Sequence, residues 1–221
     1  QLETNPDSAL LLFNSINEDS LSEAAFAQKC MLAGKITDKL YQAIIPTHHY
    51  ERAHHWFSGH GTPQEQSLIL LYLGRSYAED GEYNHAMATY TKGMNIAEKY
   101  SLFDISGLIN SYMGDLYESK GMIELAIDKY KTAADLFLKD SNKKSYACAL
   151  RDCGRSYARI DSIEKAINIL LQADSIANEI DNPNVKASIA NTIAGTYLLS
   201  SNYNEAKSFY NKALLLSKNK T

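Results

Sequence analysis

Apolar residues return along this chain at two spacings, one helical and one much longer. Within residues 6–16, Ala9, Leu10, Leu12, Phe13 and Ile16 recur at helical spacing, which predicts a short amphipathic helix opened by Asn5-Pro6. A second helix is expected from Leu21 to about Gln42, with Ala25, Cys30, Leu32, Ile36 and Leu40 in the core. Thr47 is placed to cap a third, from His48 to Gly59. Beyond residue 62 the pattern repeats every forty residues. Gly74-x-x-Tyr77, Gly114-x-x-Tyr117, Gly154-x-x-Tyr157 and Ala194-x-x-Tyr197 stand in one register. Twelve residues after each Gly or Ala is a small residue: Ala86, Ala126, Ala166, Ala206. Four further on is a bulky one (Tyr90, Tyr130, Leu170, Tyr210), and three beyond that a small one again (Gly93, Ala133, Ala173, Ala213). Five positions held over four copies define a repeat.

Each copy reads as two antiparallel helices joined by a tight turn such as Glu79-Asp80-Gly81-Glu82. The small residues let the helices approach, and Tyr77 or Tyr90 fills the groove beside them. Thr62-Pro63-Gln64-Glu65 carries an N-cap, a proline at the first helical position and a capping-box glutamate, and Asn182-Pro183 opens a later helix the same way. The predicted helices are 63–79, 83–99, 103–119, 123–139, 143–159, 163–179, 183–199 and 203–218. Residues 1–61 form an N-terminal helical segment of degenerate repeats, and residues 62–221 hold four repeats at about 63–100, 103–140, 143–180 and 183–218.

This pattern resembles the tetratricopeptide repeat, whose signature runs L-G-x-x-Y, then A-x-x-x-F/Y, then A. The resemblance implies an all-α fold, a right-handed superhelical solenoid of antiparallel helix pairs, that binds protein or peptide along a concave groove. The unit of forty residues exceeds the common 34, so its helices are expected to be longer by roughly a turn in total. A second resemblance lies in the N-terminal segment. N-P-D-S-A-L-x-L-x-x-S-I (Asn5 to Ile16), Y-x-x-I-x-P (Tyr41 to Pro46), H-Y-E-x-A (His49 to Ala53) and L-Y-L-G-R-x-Y (Leu71 to Tyr77) are similar to a Bacteroidetes family of membrane-anchored tetratricopeptide proteins. That likeness implies an extracytoplasmic sensor or scaffold domain, with membrane contact only through segments outside this chain. The alternative is a cytoplasmic peptide-receptor regulator built from similar long repeats.

Composition narrows the function further. Over 221 residues, 45% are apolar and 22% charged, which suits a folded domain. A net charge of −4 provides no basic face for nucleic acid. Cys30, Cys148 and Cys153 include no C-x-x-C and read as small buried hydrophobes. Glycine-rich phosphate loops and nucleophile motifs are missing, so no enzyme and no cofactor is expected.

The groove-facing positions of the first helix in each repeat hold Leu71, Arg75 and Ala78; Ser111, Asp115 and Glu118; Arg151, Arg155 and Ala158; and Asn191, Gly195 and Leu198. Arg75, Ser111, Asp115, Glu118, Arg151, Arg155 and Asn191 are therefore the candidate ligand-binding residues. Arg75, Asp115 and Arg155 alternate in charge down one column, which reads either as a salt-bridge ladder or as a polar groove holding a peptide. Five histidines fall between His48 and His60, none four apart. Their best metal constellation is His48, Glu51 and His55, which competes with a plain solvated face. The seven repeat tyrosines, Tyr210 included, are expected in the core. The last helix ends on Ala213-Leu214-Leu215-Leu216, an apolar face expected to pack on a second subunit or on a continuation of the natural protein.

Overall fold

A computed structural model describes residues 6–40 and 45–218. Among them are eleven α-helices and no strand. The first three are α1 (Pro6–Asn14), α2 (Glu23–Leu40) and α3 (Thr47–His60), with a 3-10 turn at Glu18–Ser20. The rest are α4 (Pro63–Glu79), α5 (Tyr83–Lys99), α6 (Phe103–Ser119), α7 (Ile123–Lys139), α8 (Lys143–Arg159), α9 (Ile163–Asn178), α10 (Pro183–Leu199) and α11 (Tyr203–Lys218). From α4 onward every boundary lies within one residue of the span the repeat predicts. The chain forms two compact units, Gln1–Ile105 and Ser106–Thr221.

The turns explain why the register is so regular. Gly81 has φ +79° and Gly121 has φ +74°. At each, the glycine N–H donates three residues back and the next N–H five residues back, as from Gly81 to Ala78 (3.1 Å) and Glu82 to Tyr77 (2.8 Å). This is the Schellman termination, which satisfies helix-end carbonyls at the cost of one left-handed residue. The same bonds recur at Ser101, Ser141, Asp161 and Ser201, with φ between 54° and 59°. A side chain in that conformation costs about 1–2 kcal/mol, so these four turns are strained where the glycine turns are not. The reversal before α10 differs. There Asn182 accepts from the Val185 N–H (3.1 Å) and Pro183 starts the helix. Thr62 and Glu65 form the full capping box at α4.

Within the repeats, the small residue of one helix seats a large one of the next. A Cβ added to Gly74 would stand 2.6 Å from the Tyr90 ring, one on Gly114 would stand 2.6 Å from Tyr130, and one on Gly154 would stand 2.6 Å from Leu170. Ala86, Ala126 and Ala166 are fully enclosed. In the second unit Ile123, Ile127, Tyr130 and Cys153 make one apolar cluster. Ala147, Leu170, Ala173 and Ala177 make another with Val185, Ile189 and Ile193 of α10.

Several expectations need correction. Tyr210 is 40% exposed, because no helix among the described residues covers the outer face of α11 as α10 covers Leu170. Leu71 is core rather than groove lining. Along α2 the buried face carries Phe26, Ala27, Cys30, Met31, Ala33 and Ile36, whereas Ala25 and Leu32 face out. The buried face also takes in Lys29 and Thr37, whose polar atoms are satisfied. Lys29 Nζ bonds Glu18 (2.9 Å) and the Ile16 carbonyl (3.1 Å) and sits 4.8 Å over the Phe13 ring, and Thr37 Oγ1 donates to the Ala33 carbonyl. Thr47 is the first residue of α3 rather than its cap, and its hydroxyl contacts Ser76 and Asp80 instead. The predicted cap at Asn5 and the core position Leu40 lie outside what is described, Leu40 as to its side chain. The three cysteines are free, with Cys30 and Cys153 buried and Cys148 half-buried. Burial pushes the Cys30 thiol up to about 12 and the Cys153 thiol to about 11. Among the described residues no helix is long and apolar enough to cross a membrane.

Candidate functional site

Four of the candidate residues meet in the second unit. Helix α6 carries Asp115 and Glu118 one turn apart, and α8 carries Arg151 and Arg155 likewise. Between them stands Tyr130 of α7, seated on Gly114, with its hydroxyl 2.6 Å from Asp115 Oδ1 and 3.1 Å from Glu118 Oε2. One phenolic proton serves both contacts, the shorter going to Asp115. Glu118, itself buried, accepts from Arg155 Nη2 (2.9 Å) and pairs with Arg159 Nη1 (2.9 Å). Arg155 Nη1 reaches Asp152 Oδ1 (2.8 Å). Asp152 takes two bonds from Arg151, at 3.0 Å each, and Arg151 Nη1 donates to Ser188 Oγ of α10 (2.9 Å). The polar chain thus runs from Asp115 through Tyr130, Glu118, Arg155, Asp152 and Arg151 to Ser188.

Among the described residues the column at spacing forty carries no bond of its own. A diagonal at 37 holds two ion pairs, Arg155 with Glu118 and, in the first unit, Arg75 with Asp38 (2.6 Å). It also holds two further hydrogen bonds, Arg151 to Ser188 and Gln28 to Glu65 (3.1 Å), while Arg159 meets Glu118 at 41 and Lys212 meets Asp174 at 38. A shift of three residues is one helical turn less than a full repeat, so a side chain leaning along its helix meets the neighbour one turn off. The diagonal also places Asp115 against Asp152, a like charge.

That geometry sets the acidities. The surrounding protein raises the Asp115 carboxyl, helped by Asp152 and Glu118, while the Tyr130 hydroxyl works the other way. Asp115 is nonetheless open to solvent, and water limits the rise. Burial also acts to raise Glu118, but the guanidinium groups of Arg155 and Arg159 outweigh it and hold the carboxyl below its usual range.

The remaining candidates lie apart. Ser111 is half-buried on α6, one turn before Asp115. Asn191 is exposed on α10 and lines a separate groove. Arg75 belongs to the first unit, where it pairs with Asp38 and with Glu79 (3.1 Å). Among the described residues no three His, Cys, Asp or Glu side chains gather where a metal ion could sit. The constellation His48, Glu51 and His55 therefore does not assemble, because Glu51 accepts the Tyr77 hydroxyl and His48 stacks on His49 at 4.5 Å. Asp152, Tyr130 and Arg159 were not candidates from sequence. The signal for Asp152 is an acid directly beside Arg151, at a helix position that the neighbouring repeats fill with Tyr72, Tyr112 and Thr192.

The tetratricopeptide-repeat family model matches residues 187–220, the α10–α11 pair. The α10–α11 pair is a tetratricopeptide repeat. Solved structures extend the likeness to the whole array. BtubC from P. vanneervenii has a TM-score of 0.73 at 15% identity, over 99% of this chain and 90% of that one. A Rap protein complexed with competence and sporulation factor has 0.81 at 16%, over 96% of this chain and 59% of that one. MamA has 0.56 at 19%, over 85% and 95%. No curated protein matches the sequence. At these identities the likeness is one of fold alone.

Proposed function

We propose that the second unit binds an extended protein or peptide segment along the α6–α8 surface and performs no chemistry on it. The observation that carries this is the polar chain itself. Its interior members are fixed by mutual bonds, while Asp115 is exposed and the Arg155 and Arg159 side chains are 40% and 50% open. Such an array offers an acid and two guanidinium groups already oriented, which suits a segment with a basic side chain near a carboxylate or a backbone carbonyl. A displayed random-peptide selection against the whole chain tests this. Enriched peptides should lose about tenfold or more in affinity with Arg159→Glu and with Asp115→Arg. Selected peptides indifferent to both variants overturn the reading.

The same reading places the chain on the extracytoplasmic side, as the sensor or scaffold domain of a membrane-anchored bacterial regulator. It rests on the resemblance of residues 5–77 to that family. The gene should then encode a signal sequence upstream and a hydrophobic segment downstream, and a gene with neither refutes it. A second reading, a cytoplasmic peptide-receptor regulator, is favoured by the fold likeness to a Rap protein solved with a bound factor. It predicts that selected peptides are short and compete for one site in the α6–α10 surface.

A further inference from the structure

Three carboxylates and three guanidinium groups meet around Tyr130, but they are not matched one to one. Glu118 takes Arg155 and Arg159, and Asp152 takes Arg151 and Arg155. Asp115 forms no ion pair among the described residues. Its Oδ1 accepts the Tyr130 hydroxyl at 2.6 Å, and its Oδ2 accepts nothing from them. Tyr130 cannot withdraw. Its ring is fully buried, and a Cβ added to Gly114 would stand 2.6 Å from it. Asp115 itself is open to solvent. The array thus presents a fixed acid with one oxygen committed and the other free.

We infer that Asp115 seats a primary ammonium, the side chain of a lysine in the bound segment, in preference to a guanidinium, and only while its own carboxyl is ionised. This rests on the reading that the α6–α8 surface binds such a segment. The preference follows from shape. A guanidinium bonds a carboxylate best as a fork, with two parallel N–H donors on two oxygens, and here the first oxygen is held by a phenol that stays in place. An ammonium is a compact point charge that needs only Oδ2. The dependence on ionisation follows from what faces Asp115: Glu118 from its own helix, Tyr130 from α7, and Asp152 and Arg155 from α8. The surrounding protein, with Asp152 and Glu118, pushes the carboxyl up to about 6 against Tyr130 and Arg155, and its exposure makes that value an upper bound. A lysine bound there displaces the proton, so binding weakens as pH falls through that range.

The test uses the intact chain and two N-acetylated bead libraries of nonapeptides. One has lysine fixed at the central position and the other arginine, and every other position excludes lysine, arginine, histidine and cysteine. At pH 7.5 the lysine library should yield binders. Exchanging their lysine for arginine should weaken them at least about fivefold in fluorescence anisotropy. Asp115→Asn, which keeps the side chain's shape, should weaken them about tenfold and remove their pH dependence. On the parent chain that dependence should be a loss of at most about tenfold between pH 7.5 and 5. Tyr130→Phe frees Oδ1 and should shrink the lysine preference to under about twofold. Arginine binders equal in affinity to the lysine binders on the parent chain overturn the inference. So does a preference that survives Tyr130→Phe, or a pH dependence that survives Asp115→Asn. Lysine binders that lose affinity with Arg159→Glu but not with Asp115→Asn overturn it and leave the binding reading standing. Binders indifferent to both variants, or none from either library, overturn both.

Discussion

The α2–α3 pair and the α6–α7 pair do the same job by different means. In α6–α7 the helices meet by fit: Gly114 leaves room for the Tyr130 ring, and no other residue has space there. In α2–α3 and the segment before it, charge does much of the fastening. Lys29 holds Glu18 and covers Phe13, while Arg52 bonds Glu23 (2.6 Å) and lies 4.0 Å over the Phe26 ring. Fit is indifferent to salt. Ion pairs weaken as salt screens them, although a buried lysine is screened less. The comparison teaches that a helix pair without the repeat motif can still be fastened, with polar contacts standing where the repeats have complementary shape.

The largest test of that contrast is Gly114→Val. A branched side chain would drive into the Tyr130 ring and cost about 3 kcal/mol, equally in low and high salt, with hydrogen exchange locating the loss in the second unit. Next is Lys29→Ala, which removes two charge-assisted bonds and should cost about 2 kcal/mol. Its penalty should shrink between 0.05 and about 1 M salt, and an unchanged penalty would show that the stem's packing, not its charge, was the source. A gain is expected from Asp161→Gly. Glycine removes the left-handed strain at a turn where Gly81 and Gly121 already have it, so the unfolding midpoint should rise by the equivalent of about 1 kcal/mol. The smallest effect is Asp115→Asn. A carboxyl raised above its unfolded value is favoured in its protonated form by folding, so it subtracts stability once pH exceeds that raised value. The variant should be more stable than the parent at pH 7, by under about 1 kcal/mol given its exposure. The two should coincide near pH 3, where both side chains are neutral. Glu118 has the opposite sign: its lowered acidity contributes stability above the usual glutamate range and loses it as pH falls through the depressed value.

Much of the fold was legible because turn chemistry and packing chemistry share one period. Gly81, Ser101, Gly121, Ser141 and Asp161 fall twenty residues apart, each reversing the chain at a place the apolar pattern also marks. The face of α2 was not legible, since Lys29 and Thr37 are polar and yet buried, and Glu18, the partner of Lys29, lies outside the helix where its spacing cannot point. In the candidate site, position alone identified Asp115, Glu118, Arg151 and Arg155 as neighbours. The bonds among them escaped, because a column at forty residues ignores the direction in which a side chain leans. The diagonal at 37 accounts for Arg155 choosing Glu118 over Asp115, and for the like-charge approach of Asp115 to Asp152.

That diagonal limits how such an array could be lengthened. Were residues 103–142 copied in tandem, the duplicate of Glu118 would keep its arginine 37 residues on. The original Glu118 would instead face the duplicate of Asp115, acid against acid. The α6–α7 pair is thus written for the α8 helix that follows it. The helices at this junction are alike in shape, but their order is fixed by charge, so it can be shuffled only by rewriting both of its edges.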